Sequence, residues 1–151
     1  MSEESAAEIA EIVAEAAGLP LKDAAFSLWR LRPRLDTLES RPTAEEVRTF
    51  RAMSAAEQAA KMRRDRDQAQ DGPTFTHLKM AHAKASDTEI KLAIIAAVKF
   101  DDACFKYFST DHVLDFWQRC VRAVALAEKE NPGYLESTYQ IARNHVAYYM
   151  K

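Results

Sequence analysis

Apolar residues recur along this chain at three- and four-residue intervals, the spacing of one face of an α-helix. Between Glu3 and Ala17, Glu4, Glu8, Glu11 and Glu15 share one side, and Ile9, Ile12, Val13 and Ala16 the other. Gly18 and Pro20 end this first helix, because glycine closes a helix readily and proline cannot extend one. From Leu21 toward Leu38, Leu21, Ala24, Leu28, Leu31, Leu35 and Leu38 follow an unbroken heptad a/d spacing. Pro33 lies inside that pattern and must kink or break it, since it lacks an amide hydrogen and crowds the preceding turn. Ala25, Phe26 and Trp29 form a second apolar side of this helix, about a third of a turn or more from the leucines.

The stretch from Ala44 to Gln70 reads as helical, with a break at Met53–Ser54, rich in alanine and charge and poor in large apolar residues. Asp71-Gly72-Pro73 is the clearest boundary, and a short helix over about Phe75–Lys84 follows it. Asp87–Phe108 is apolar over about two-thirds of its girth, which predicts a central helix touched on several sides. Asp111–Glu130 is predicted to turn Val113, Phe116, Trp117, Cys120, Val121 and Val124 inward, with Asp115 and Arg119 as a surface i,i+4 pair. On that reading, Trp117→Ala costs about 3–5 kcal/mol. The last helix, Tyr134–Met150, buries Leu135, Tyr139, Ile141, Ala142, Val146 and Tyr149. Ser5-x-x-Glu8, Thr43-x-x-Glu46, Ser54-x-x-Glu57 and Ser86-x-x-Glu89 match the capping box, and the last three mark helix starts.

These elements predict an all-α helical bundle. Residues 87–151 form an antiparallel three-helix core, and an N-terminal helical hairpin packs on it or exchanges with a partner. Two regions follow, 1–70 for interaction and 71–151 for the bundle; one domain over 1–151 is the alternative.

Composition agrees. Three glycines and five prolines in 151 residues are too few for the turns of a sheet protein. The formal net charge of −2 lacks the cationic excess of a dedicated nucleic-acid protein. No apolar run approaches the roughly 20 residues that span a bilayer. The acidic start, Met1-Ser2-Glu3-Glu4-Ser5, is unlike a secretory signal, so a cytoplasmic location is expected. Cys104 and Cys120 are out of register across a helical hairpin, which predicts two buried free thiols.

Motifs for chemistry are missing. None of His77, His82, His112 and His145 has a glutamate three residues before it, so the Glu-x-x-His of carboxylate-bridged metal bundles is absent. His82 and His145 read as hydrogen-bonded core histidines and His112 as solvated. Asp101 and Asp102 point about 100° apart on a helix and do not converge, and Asp101, at the edge of a charged stripe of Lys91, Lys99, Asp102 and Lys106, is the more informative of the two. There is no glycine-rich phosphate loop and no nucleophile elbow. Neither catalytic nor metal nor cofactor residues are therefore expected.

Two stretches resemble known families. Ile12–Leu31, with Ala14, Gly18 and a helix after Pro20, resembles the rhythm of a DNA-reading helix-turn-helix. Its groove-facing residues would include Leu21, Lys22, Ala25, Phe26 and Trp29, which are mostly apolar where recognition needs polar and basic groups. Ala123, Ala127 and Pro132 followed by Tyr139 resemble a tetratricopeptide repeat junction, with no second copy at the required period.

The expected function is accordingly a non-enzymatic helical module binding another protein or itself. A homodimer is favoured, with Leu21, Phe26, Leu28 and Trp29 as the candidate interface. The alternatives are a nucleic-acid-associated regulator using the N-terminal half, with its basic clusters Arg30–Arg34 and Lys61–Arg66, and a small-ligand site in the aromatic C-terminal bundle.

Overall fold

The computed structural model describes residues 1–40, 43–110 and 113–151. Their elements are nine α-helices and a 3₁₀ turn, without a strand among them. The expectations for His112 and for a helix start at Asp111 lie outside the described residues.

Helix α1 (Glu3–Ala17) is capped by Ser2, whose hydroxyl accepts from the Ser5 amide, and it buries Ile9, Val13 and Ala16. Ser5 therefore lies inside the helix. The long second helix is two helices, α2 (Leu21–Arg30) and α3 (Arg32–Glu39). Pro33 sits in the first turn of α3, where a missing amide hydrogen leaves no helical bond unmade, so the break falls at Leu31. Past the break, α3 packs on α1. Arg34 forks onto Glu8 there with two bonds of 2.9 and 2.7 Å.

Thr43 and Ser54 cap α4 (Ala44–Ala52) and α5 (Ala55–Asp67) as their sequence spacing predicts. The 3₁₀ turn Ala69–Asp71 leads into α6 (Pro73–Ala81). Helix α7 (Asp87–Lys106) opens with the full Ser86–Glu89 capping box, which holds Glu89 below the usual carboxylate range through hydrogen bonds from Ser86. It is central, as its apolar girth predicts, and meets α2, α6, α8 and α9.

Helix α8 (Phe116–Glu130) starts later than expected. Asp115 is its cap: Gln118 N–H donates to the Asp115 carboxylate at 2.8 Å, and Asp115 N–H to the Gln118 side chain. A carboxylate that caps cannot also be a mid-helix partner for Arg119, which instead donates to the Ser109 carbonyl. The later start also removes two residues from the expected core. Val113 is 85% exposed and Trp117 44% exposed, so truncating Trp117 vacates no core space and the large cost expected above does not apply. Helix α9 (Glu136–Met150) completes the chain, with Tyr149 outside the core and Thr138, Tyr139, Ala142 and Val146 in it.

The main correction concerns α2. It buries Asp23, Ala24, Ala25, Phe26, Leu28 and Trp29, nearly its whole circumference, and packs most extensively against α7. Phe26, Leu28 and Trp29, read from the sequence as an interface, are core residues of the chain itself, with Trp29 only 3% exposed; Leu21 is half-buried against the same core. The second apolar side of α2 does have a neighbour: α7, whose own girth is too apolar to be covered by α8 and α9 alone. One cluster of buried side chains thus runs from Ile9 to Val146, on both sides of Gly72. Cys104 and Cys120 lie in it as free thiols.

Candidate functional site

Three polar ties, each with at least one buried side chain, cross from the N-terminal helices to the C-terminal ones. Asp101, 4% exposed on α7, faces the seam between α2 and α9. Trp29 Nε1–H donates to its Oδ2 at 3.1 Å, and His145 Nε2 bonds its Oδ1 at 3.0 Å. A carboxylate only accepts, so Nε2 is the ring nitrogen that carries a proton here. Both carboxylate oxygens are occupied, which is the condition for keeping such a group out of water. His145 is the hydrogen-bonded core histidine expected, and its partner is the aspartate singled out from the sequence.

The second tie is Asp23. Leu135, at the cap position of α9, has no side chain able to cap. Asp23 of α2 does this from across the fold: Leu135 N–H donates to Asp23 Oδ1 at 2.8 Å and the Thr138 hydroxyl at 2.5 Å. The carboxylate also lies at the positive end of the α9 dipole. Beside it, Lys22 Nζ donates to the Pro132 carbonyl at 2.7 Å and sits 4.4 Å from the centre of the Tyr134 ring. The third tie joins buried His77 of α6 to Glu39 of α3. His82, half-buried, meets the Ala16 carbonyl through Nε2 at 3.3 Å.

Two clefts flank α3. One, of about 560 Å³, lies against α5 and the 3₁₀ turn and includes Trp29, Arg32, Asp36 and Arg66. Its two arginines are paired or stacked. Arg32 lies 3.6 Å over the Trp29 ring and donates to the Trp29 carbonyl, and Arg66 pairs with Asp102. Burial, with Glu39 nearby, pushes the Asp36 carboxyl up. The other cleft, about 580 Å³, lies between α3 and α9 and includes Arg30, His145, Tyr148 and Tyr149. The Trp29–Asp101–His145 tie therefore reaches from one cleft to the other.

Burial, with the Asp101 charge behind it, pushes the Cys104 thiol well up, and burial also raises Cys120, against Arg119. Among the described residues, no three His, Cys, Asp or Glu side chains are grouped to hold a metal ion.

The remaining candidate surface is the arm formed by α4 and α5. Neither helix contains a buried residue. Gln58 Nε2 donates to the Phe50 and Met53 carbonyls and fixes the corner between them. Phe50 and Met62 are exposed on it, among acidic and basic side chains of both signs. Of the sequence-predicted interface residues, none lies on this arm. The sequence signal that could have found it is its lack of large apolar residues, since a helix with little to bury is left outside the core. No described helix is long and apolar enough to cross a membrane. No family model, curated protein or solved structure matches the chain.

Proposed function

We propose that this protein is a non-enzymatic helical interaction module that self-associates through the α4–α5 arm. One observation carries the reading: nothing in α4 or α5 is buried. Helices of 9 and 13 residues are at or below the roughly 12–15 residues at which an isolated helix is even marginal in water, and most helical stability comes from a packed face. A second copy supplies that face. The arm's charges are of mixed sign, so two copies meet without net repulsion, and a two-fold pairing places each patch against itself. The same mixture disfavours nucleic acid. In the basic run on α5, Lys61 pairs with Asp65 and Arg66 with Asp102, leaving half the cations committed elsewhere.

Light scattering after size exclusion is expected to give twice 17.1 kDa. The double variant Phe50→Glu/Met62→Glu is expected to run as a monomer with an unchanged circular dichroism spectrum. A wild type that stays monomeric at high concentration contradicts self-association.

A further inference from the structure

Arg30, the last residue of α2, is a cation without a counterpart. Its Nε is shut off from solvent and has no hydrogen-bond partner. No ion pair joins it to any described residue. Arg34 nearby is neutralised by its fork onto Glu8, and Arg32 is held against Trp29. Burial lowers the Arg30 guanidinium from its ordinary range, opposed only through space by Glu15 and Tyr149. A guanidinium whose Nε is buried without a partner is costly, and such groups are normally paired.

Arg30 opens onto the α3–α9 cleft of about 580 Å³, a volume within the roughly 300–1,000 Å³ range of small-ligand sites. One wall is a run of rings that meet edge to face: His145, Tyr149 and Tyr148, with successive centroids 5.0 and 5.1 Å apart. Leu31, Pro33 and Ile141 add apolar lining. The His145 ring is fixed by its bond to Asp101, so that end of the wall is preorganised.

We propose that this cleft binds a small organic anion, with its carboxylate or phosphate head on the Arg30 guanidinium and its flat apolar body against the Tyr148 and Tyr149 rings, face to one and edge to the other. The guanidinium fork matches a planar or tetrahedral oxyanion, and the rings match an aromatic or similarly flat body. The site lies apart from the α4–α5 arm and does not depend on it.

The test uses benzoate, phenyl phosphate and the neutral benzyl alcohol, titrated by calorimetry and by amide chemical shifts of the full chain. Saturable binding of either anion is expected, weaker for benzyl alcohol, with shifts centred on Arg30 and the last two turns of α9. Arg30→Gln is expected to weaken anion binding at least about tenfold, the loss of a charge-assisted bond. Arg30→Met, which keeps the stem and removes the unpaired charge, is expected to abolish anion binding and raise the denaturation midpoint of the unliganded protein. Four results overturn the proposal: no saturable anion binding up to about 10 mM, benzyl alcohol binding as tightly as benzoate, unchanged binding in Arg30→Gln, or a lower midpoint in Arg30→Met. The last would make Arg30 a support of the fold.

Discussion

Asp101→Ala is expected to cost about 2–6 kcal/mol, about 1–3 kcal/mol for each of the two buried hydrogen-bonding groups it strands. The size follows from what it leaves behind. Trp29 Nε1–H and His145 Nε2 both bond this one carboxylate. Deleting it strands two buried polar groups on two different helices and opens a void beside Cys104. Asp101→Asn keeps the volume and one acceptor, so it is expected to cost less, because the amide can still take one of the two donors. Denaturant unfolding of both variants measures the difference. Equal and small losses would show that the tie contributes little and that packing alone joins α2, α7 and α9.

Trp29→Glu is expected to unfold the protein. An exposed Trp29 would make this substitution a harmless way to separate protomers, and the candidate interface read from the sequence implied that result. In the structure it buries a second carboxylate next to Asp101 and vacates the space of an indole. Both effects run to several kcal/mol, against a total stability of about 5–15 kcal/mol for a domain of this kind. Circular dichroism of the purified variant decides the matter: loss of most helical signal is expected, and a folded variant would place Trp29 outside the core. Trp29→Phe is the milder control. It keeps a ring but leaves Asp101 Oδ2 without its donor, at about 1–3 kcal/mol.

Helix existence and several boundaries were legible from spacing alone. The three hydroxyl caps at Thr43, Ser54 and Ser86, the break forced by Pro33 and the central place of α7 all follow from local chemistry, which the sequence carries directly. The start of α8 was misplaced because Asp115-x-x-Gln118 is also a capping box, and reading Asp115 as a mid-helix partner of Arg119 hid it. That one shift put Val113 and Trp117 in the wrong environment. The error at α2 has a different cause. Periodicity reports how much of a helix is apolar but not which neighbour covers it, and two helices apolar on several sides can cover one another. Asp23 illustrates the limit most sharply. Its partners, Leu135 and Thr138, are more than a hundred residues away, and nothing local in either segment announces a cap supplied from another helix. The unpaired state of Arg30 is equally a property of the packed chain, since the surrounding sequence reads only as a basic cluster.

The central claim is that the N-terminal helices and the C-terminal bundle share one core, tied through Asp101, Asp23 and His77. It is tested most directly by unfolding Trp117→Phe in urea, followed at once by far-ultraviolet circular dichroism and by fluorescence. Trp117 is half-exposed, so its replacement leaves Trp29 as the single reporter at the α2–α7 seam. Trp29 fluorescence and helical signal are expected to change in one coincident transition, the mark of a single cooperative unit. Exposure of Trp29 at a lower urea concentration than loss of the C-terminal helices would contradict it.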